Sequence, residues 1–371
     1  MRVLIVSKAL VVGAYQQKLA EIAAQPGVEQ LTAVVPPMWQ EPRGRALALE
    51  RQPERGYQLR VEPIRFNGNF HLFHWPRLAR VLRQARPDIV HVDEEPYNLA
   101  TALATWQARR SGARSLFFTW QNLRRRYPPP FSLFERYVFR ASASAIAGNT
   151  EAVGVLRAKG YRGPAAVIPQ FGVDPSLFSP PPPGARADRG TPTIGYVARL
   201  AEEKGPRVLI QALADLPGDW RLHVIGSGPL AGEARALVEQ AGLTPRVTWE
   251  ASVPSTAMPD RMRAFDILVL PSLTRPNWKE QFGRALVEAM ACEVAVVGSS
   301  SGEIPGVIGD AGVVVPEGDA AALRAALAAL VADPARRAAL GRDGRQRVRA
   351  RYTYQRIAEQ TVTVYKAALT R

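Results

Sequence analysis

Two glutamates, Glu280 and Glu288, stand eight positions apart in the second half of the chain. If the segment between them were entirely helical, they would lie about 12 Å apart, too far for a paired acid and base but suitable for contacts with two ends of one ligand. Residues 283–291 have helical spacing, so the N–H groups of Phe282 and Gly283 are predicted at a helix N-terminus, where an anion is favoured. The alternative is that both glutamates are solvent-exposed, as charged residues usually are.

Two cations, Arg199 and Lys204, stand five positions apart across a predicted strand-to-helix turn. A diphosphate suits this pair because arginine binds it through two parallel hydrogen bonds and lysine acts as a point charge. The alternative is a pair of surface cations neutralised by Glu202 and Glu203.

The length and composition favour an ordinary globular protein. A chain of 371 residues is long enough for two domains, and 47% hydrophobic with 22% charged residues is normal for such proteins. No apolar run reaches about 18 residues, and the apolar part of the N-terminus is too short for a secretory signal. The single cysteine, Cys292, excludes an internal disulfide, and the four histidines lack metal-ligand spacing. We therefore expect a cytoplasmic protein with no metal and no cofactor.

The formal net charge of +15 is distributed unevenly. Residues 1–178 carry 24 basic and 13 acidic side chains, a net charge of +11, whereas residues 179–371 carry 24 and 20, a net charge of +4. The excess in the first half favours an anionic partner there, such as a membrane surface, a phosphorylated lipid or an acidic glycan. The alternative is a general preference for arginine, which supplies 42 of the 48 basic residues.

Short apolar runs alternate with helical stretches in both halves, which predicts an α/β fold with two doubly wound parallel sheets. The predicted domains are residues 1–178 and 191–352, joined by a Pro-rich linker at 179–190 and followed by a last helix at 353–371. The predicted strands are residues 3–7, 31–35, 57–61, 88–91, 114–119, 143–147, 193–197, 220–225, 246–250, 266–270, 294–298 and 312–315.

The segment from Glu280 to Glu288, Glu-Gln-Phe-Gly-Arg-Ala-Leu-Val-Glu, closely resembles the donor motif of retaining GT-B glycosyltransferases of family 4. The segment from Ile168 to Asp174 resembles the element that members of this family carry where the chain crosses between domains. The resemblance implies a GT-B fold, in which two Rossmann-like domains flank an interdomain cleft and the last helix crosses back to the N-terminal domain.

The resemblance also implies roles for residues of the second half. Arg199 and Lys204 would hold the donor diphosphate and stabilise the leaving group, Glu280 would contact the transferred sugar, and Glu288 would bind the ribose hydroxyls. The further residues expected at the donor are Gly226, Gly228, Ser255, Met258, Gln281, Phe282 and Gly283. As a dinucleotide fingerprint, Gly226 and Gly228 fail, because the third glycine and its acidic partner are missing.

In the first half, Gly13 follows the first predicted strand and would let the donor approach, although a turn glycine explains it equally well. Gln121 stands where the family usually has a histidine facing the reaction centre; it can donate a hydrogen bond to a sugar hydroxyl but cannot titrate. Asp93, Glu94 and Glu95 form either a general base or acceptor contact, or a solvated acidic loop.

Arg124, Arg125 and Arg126 begin a stretch that interleaves arginines with aromatic and aliphatic residues up to Arg140. One interpretation is a helix with a buried apolar side and solvated arginines. The other is an interfacial surface that binds an anionic membrane or a lipid-linked acceptor.

These observations predict a metal-independent retaining transferase that uses a UDP- or GDP-linked sugar and a glycan or lipid-linked acceptor, in cell-envelope synthesis at the inner face of the membrane. The resemblance implies front-face displacement, with the leaving phosphate accepting the acceptor's proton. One alternative is a catalytically silent binding or scaffold protein, suggested by Gln121. Another is nucleic-acid binding, suggested by the basic charge but unsupported by any recognised motif.

Overall fold

The computed structural model describes residues 1–41, 46–182, 190–251 and 253–370. The chain folds into two units: unit 1 comprises Met1–Gly172 and Tyr354–Arg371, and unit 2 comprises Val173–Thr353. Residues 183–189 of the predicted Pro-rich linker lie outside the described residues. Across the described part of the chain, every helix is too short or too polar to cross a membrane.

Unit 1 is built on a seven-stranded sheet in which every pairing is parallel, with the order β5-β2-β1-β6-β7-β8-β9. The inner strands are apolar and buried on both faces, as parallel sheets require. The seven strands of this sheet are β1 (Arg2–Val6), β2 (Gln30–Val35), β5 (Gln58–Val61), β6 (Ile89–Val92), β7 (Arg114–Thr119), β8 (Ser144–Ala147) and β9 (Ala165–Val167). Two further strands, β3 (Met38–Gln40) and β4 (Ala46–Ala48), pair only with each other.

Helices cover this sheet. The last helix of the chain, α13 (Tyr354–Leu369), belongs to the same unit and packs against its first helix, α1 (Gln17–Ala23). Two short 3-10 turns, Ala9–Val11 and Gly13–Gln16, precede the first helix. The other helices of this unit are α2 (Leu78–Ala85), α3 (Leu99–Arg110), α4 (Phe131–Ala141) and α5 (Thr150–Ala158). The sequence analysis missed β9 and the antiparallel pair β3–β4.

Unit 2 contains a six-stranded, fully parallel sheet with the order β12-β11-β10-β13-β14-β15. All six strands agree with the predicted ones within one residue at each end. They are β10 (Thr193–Val197), β11 (Arg221–Ile225), β12 (Val247–Glu250), β13 (Ile267–Leu270), β14 (Ala295–Ser299) and β15 (Val313–Val315). The two parallel sheets confirm the predicted α/β class.

The helices of unit 2 follow its strands in regular alternation. Two of them begin after aspartate N-caps, Asp319 and Asp333, whose side chains accept hydrogen bonds from N–H groups of the first helical turn. The helices are α6 (Pro206–Ala214), α7 (Ala231–Gln240), α8 (Met258–Arg263), α9 (Arg284–Ala291), α10 (Ile304–Ile308), α11 (Ala320–Ala332) and α12 (Pro334–Arg351).

Each sheet reverses its strand order beside its first strand. In unit 1 this switch point lies between β1 and β6, and in unit 2 it lies between β10 and β13. Ligands of open α/β sheets bind beyond the carboxyl ends of the strands at such points. The loops after β10 and β13 hold the predicted site residues Arg199, Lys204 and Glu280.

Candidate functional site

An ion pair joins the two loops at the switch point of unit 2. The Nζ atom of Lys204 lies 2.6 Å from Oε2 of Glu280, and the Ser272 hydroxyl donates to the same oxygen over 2.9 Å. Glu280 is 6% exposed, so its charge is largely removed from water and needs these partners. The sequence named both ends of the ion pair but missed Ser272, whose only signal was its place just after β13.

The backbone of Gly302 packs closely against the backbone of Glu280. This glycine has a φ of +56°, and a Cβ at this position would lie 1.9 Å from the Glu280 carbonyl oxygen. The same oxygen accepts a hydrogen bond of 3.1 Å from the N–H of Glu303. Any larger residue at position 302 would therefore displace the strand-end loop that carries the carboxylate.

Lys204 is fixed from two sides. Its Nζ lies 4.6 Å from the centroid of the Trp278 ring, and its carbonyl oxygen accepts a hydrogen bond of 3.1 Å from the Tyr196 hydroxyl. A cation over an indole face is stabilised by the ring's negative potential. Trp278 therefore helps to position the ammonium group, and the sequence analysis did not identify it.

Arg199 lies on the loop after β10 and is half-buried. The N–H of the next residue, Leu200, donates to the Ser227 carbonyl over 3.0 Å. Gly226 permits this approach, since a Cβ there would lie 1.9 Å from the Ala198 carbonyl oxygen. Among the described residues, no carboxylate forms an ion pair with Arg199.

The alternative in which nearby glutamates neutralise the two cations is wrong. Glu202 lies 2.9 Å from Arg275 and 3.7 Å from Arg207, and Lys204 pairs with Glu280 instead.

Glu288 lies on the second turn of α9 and is 7% exposed. Its Oε1 accepts a hydrogen bond of 2.6 Å from Nε of Arg284, one turn earlier. Burial raises the pKa of Glu288, and Arg284 opposes that rise. Since Glu280 and Glu288 are both buried, the alternative of two solvated glutamates is also wrong.

The helix that carries Glu288 begins at Arg284, directly after Gly283, whose φ is +76°. The Phe282 ring is buried and meets the Tyr352 ring edge-on at 5.7 Å, whereas Gln281 is exposed. Phe282 thus anchors the turn through its side chain, and a contact of its amide with phosphate or sugar stays a prediction.

The remaining predicted donor residues of unit 2 lie on neighbouring loops. A Cβ at Gly228 would lie 2.3 Å from the Leu200 carbonyl oxygen, so this glycine packs the loop after β11 against the loop that holds Arg199. Ser255 is exposed and Met258 is half-buried at the start of α8. Their contacts with a base stay predictions.

In unit 1, the interpretation of residues 93–95 as a solvated acidic loop is wrong. Asp93 is 2% exposed and its Oδ2 lies 3.3 Å from Nζ of Lys18, while Glu94 is 3% exposed and forms an ion pair with Lys8. Burial raises the pKa of Asp93, but Lys18 and the other neighbours outweigh it and hold that pKa below its usual value.

Glu95 is half-buried and ties β6 to the end of β7. Its carboxylate accepts hydrogen bonds of 2.7 Å from the Thr119 hydroxyl and 2.8 Å from the Trp120 N–H. Burial nevertheless raises the pKa of Glu95 to about 7. His91 is buried nearby, with Nδ1 2.7 Å from the Tyr365 hydroxyl, and burial lowers its pKa to about 4.

Gln121 is 8% exposed and its amide already has two protein partners. Its oxygen accepts a hydrogen bond of 3.2 Å from Lys159, and its nitrogen donates over 3.2 Å to the Tyr127 hydroxyl. The amide nitrogen carries a second hydrogen, so one donor remains for the predicted sugar contact.

The other predicted residues of unit 1 differ in exposure. The N–H of Gly13, which is buried, donates to the Glu50 carboxylate over 2.9 Å, so a phosphate would have to replace that partner. Arg124, Arg125 and Arg126 are exposed just before α4. The donor role of the first and the acceptor or membrane role of the other three stay predictions.

Comparison with known proteins agrees with this architecture. Residues 183–347 match the profile described as Glycosyl transferases group 1, and residues 12–170 match that of the Glycosyl transferase 4-like domain.

Curated relatives match part of the chain. A D-inositol 3-phosphate glycosyltransferase from Xylanimonas cellulosilytica is 35% identical over 55% of this chain and 52% of its own length. A GDP-mannose-dependent alpha-(1-6)-phosphatidylinositol monomannoside mannosyltransferase from Mycolicibacterium smegmatis is 33% identical over 49% of this chain and 52% of its own length. The matched part thus spans about half the length of these relatives.

Solved structures share the fold over nearly the whole chain. A sucrose-phosphate synthase from Thermosynechococcus elongatus has a TM-score of 0.72 at 22% identity and covers 99% of both chains. The Anabaena protein HepE in complex with UDP has a TM-score of 0.75 at 17% identity and covers 99% of this chain and 100% of its own. The two profile matches, over residues 12–170 and 183–347, show that the chain belongs to the group 1 glycosyl transferases, and the similarities to solved structures show the GT-B fold.

Proposed function

We propose that this protein transfers a sugar from a nucleoside diphosphate sugar to an acceptor hydroxyl with retention of anomeric configuration. The observation that carries the proposal is the placement of Lys204 and Glu280, in contact, at the carboxyl ends of the two strands that form the unit 2 switch point.

The cations at this point suit the leaving group. Arg199 can bind one phosphate through two hydrogen bonds, and Lys204 can neutralise the charge that develops as the glycosidic bond breaks. This is the charge that a divalent metal supplies in other transferases, so we propose that activity needs no added metal.

The carboxylates suit the two ends of the donor. Glu280, held by Lys204 and Ser272, would accept hydrogen bonds from hydroxyls of the transferred sugar. Glu288 would accept hydrogen bonds from the ribose, in exchange for part of its bond with Arg284. A UDP- or GDP-linked sugar satisfies both contacts.

The reaction we propose is a front-face displacement. The acceptor oxygen forms a bond to the anomeric carbon on the side from which the diphosphate leaves, and the departing phosphate oxygen takes the acceptor's proton. The alternative, a double displacement, needs a carboxylate free to act as a nucleophile. Glu280 is a poor candidate because Lys204 and Ser272 already hold its Oε2.

The relatives support the substrate class. One is named for a GDP-mannose donor and a phosphatidylinositol-linked acceptor, and one structural neighbour was solved with UDP and, in another crystal, with UDP-glucose. We therefore propose a glycan or lipid-linked acceptor in cell-envelope synthesis.

The test is a thermal shift with UDP-, GDP- and ADP-linked sugars on the wild type, Arg199→Ala and Arg207→Ala. Arg207 is a matched control because it is an exposed arginine whose guanidinium pairs with Glu233 and Glu202, neither of which is a predicted donor residue. We expect one nucleotide class to raise the Tm of the wild type and of Arg207→Ala but not of Arg199→Ala.

A Tm unchanged by every nucleotide sugar would overturn the proposal. Binding without transfer to any glycan or lipid-linked acceptor, in the presence and absence of EDTA, would instead support the catalytically silent alternative.

A further inference from the structure

Three neighbouring helices of unit 1 present a strongly basic outer surface. α2 packs on α3, and α3 packs on α4. We call their exposed arginines the basic face; they are Arg80, Arg83, Arg109, Arg110, Arg136 and Arg140. The three helices contain one carboxylate, Glu135, which is buried and forms an ion pair with Lys159. The charge of the basic face is therefore not balanced within its own helices.

The flanking segments add to this charge. Five more exposed arginines adjoin α2 and α4, namely Arg77, Arg86, Arg124, Arg125 and Arg126. The positive excess noted for the first half of the sequence thus has a definite location on the helices and their ends.

Large apolar side chains are exposed among these arginines. Trp106 on α3 is 48% exposed and Leu133 on α4 is 49% exposed. The Arg110 guanidinium lies 5.1 Å from the centroid of the Trp106 ring. Leu133 precedes Arg136 by three residues and Arg140 by seven, so all three share one side of α4.

We propose that the basic face docks on the surface of an anionic phospholipid membrane. Arginines attract the negative headgroups, a tryptophan is stable at the headgroup level, and an exposed leucine can insert between the acyl chains near the surface. Leu133 distinguishes this partner from a nucleic acid, because an aliphatic side chain offers no ring on which a base can stack. The basic face lies in unit 1, so this inference does not depend on the donor site of unit 2.

Helix α12 of unit 2 provides an internal comparison. It is also rich in exposed arginines, including Arg336, Arg342 and Arg349, but none of its described residues is an exposed large hydrophobic side chain. If charge alone governed membrane binding, α12 would contribute as much as the basic face.

The test is co-sedimentation of the full chain with vesicles of phosphatidylcholine alone or mixed with phosphatidylglycerol, at low and high salt. We expect binding to the mixed vesicles only, weakened by salt. Arg83→Gln/Arg109→Gln/Arg136→Gln, with one change in each helix, should lower the partition coefficient about 100-fold, or about fivefold per arginine. Arg336→Gln/Arg342→Gln/Arg349→Gln changes the net charge equally and should retain wild-type partitioning.

An equal loss in both triple variants, or no loss in the first, would overturn the proposal. Leu133→Ser should also weaken vesicle binding several-fold, and no change would count against insertion. Binding to single-stranded RNA but not to the vesicles would replace the lipid with a nucleic acid. Lys204→Ala should bind vesicles like the wild type, which separates failure of this proposal from failure of the donor site.

Discussion

At the switch point of each unit a lysine forms an ion pair with a carboxylate, but the two ion pairs differ in their exposure to solvent. In unit 1, the side chains of Lys18 and Asp93 are 3% and 0% exposed. In unit 2, the side chains of Lys204 and Glu280 are 21% and 8% exposed, and the half-buried Arg199 lies on the same loop as Lys204. In each unit the lysine comes after the first strand of the parallel sheet, and the carboxylate comes after the strand on the other side of the switch point.

This difference separates an ion pair that is enclosed by protein from one that solvent reaches, as the proposed donor site requires. A fully enclosed lysine can only serve its carboxylate, whereas a lysine that reaches solvent can exchange part of that contact for a phosphate. The Nζ of Lys8, the other lysine of the unit 1 switch point, also lies 4.5 Å from the centroid of the Phe70 ring and 4.9 Å from that of Phe73. Aromatic rings therefore occupy the space that a ligand would need there.

The largest expected effect comes from opening the enclosed pair. Asp93→Ala leaves the Lys18 charge buried and unpaired, so the free energy of unfolding should fall by about 3–5 kcal/mol. Urea denaturation of the wild type and the variant measures this loss. The double variant Asp93→Ala/Lys18→Met removes both charges and should recover most of it; no recovery would mean that the pair is not the cause.

Removing the cation of the more open pair should affect activity rather than folding. Lys204→Ala takes away charge stabilisation of the leaving diphosphate, so we expect kcat for sugar transfer to fall about 100- to 1000-fold. The free energy of unfolding should change less than in Asp93→Ala, because the Glu280 carboxylate that is left behind keeps its hydrogen bond from Ser272 and water can replace the partly exposed lysine. Steady-state kinetics beside Arg207→Ala give the comparison, and equal activity in the two variants would contradict the assignment.

A smaller effect is expected at the far end of the donor. Glu288→Gln keeps the size of the side chain but loses the charge that the Arg284 guanidinium and the ribose hydroxyls would share. Loss of hydrogen bonds to a charged group should weaken donor binding about tenfold. Calorimetric titration measures the Kd, and Glu293→Gln, on the turn after α9, is the control.

The last expected effect is a dependence of the free energy of unfolding on pH. The folded-state pKa of Glu95 is raised to about 7, so the folded state binds this proton more tightly than the unfolded chain. Glu95 should therefore lower the free energy of unfolding as pH rises from about 4.5 to 7, by about 1.4 kcal/mol per unit of pKa difference. His91, with its pKa lowered to about 4, acts in the opposite direction between about 4 and 6.5.

Comparing Glu95→Gln with the wild type across this range cancels the contribution of His91. The wild type should lose stability relative to the variant as pH rises. A constant difference between the two denaturation curves would show that Glu95 does not titrate there.

The sequence predicted most of unit 2 because its strands are apolar runs separated by clear turns. The strands it missed in unit 1, β3, β4 and β9, have three residues each, too few to establish a period. The last helix was predicted from its sequence pattern. Its hydrogen bond from Tyr365 to His91 could not be predicted in the same way, because the two residues stand 274 positions apart.

The wrong interpretation of residues 93–95 as a solvated acidic loop also arises from contacts between residues that are far apart in the sequence. Three consecutive carboxylates usually indicate a solvent-exposed segment. Lys18 and Lys8, the partners of Asp93 and Glu94, stand more than 70 positions earlier in the chain. The contact between Lys204 and Glu280 also spans 76 positions, yet a family motif marked both residues. Position within a motif thus identified two residues that are in contact, where local polarity misjudged the burial of residues 93–95.

The most direct test is calorimetric titration of UDP and GDP into the wild type, Lys204→Ala and Lys8→Met/Glu94→Gln. The last variant neutralises an ion pair of the unit 1 switch point without leaving a buried charge. One nucleotide should bind the wild type and the unit 1 variant alike, and Lys204→Ala at least about tenfold more weakly. Unchanged binding to Lys204→Ala together with loss in a folded unit 1 variant would contradict the assignment of the donor site to unit 2.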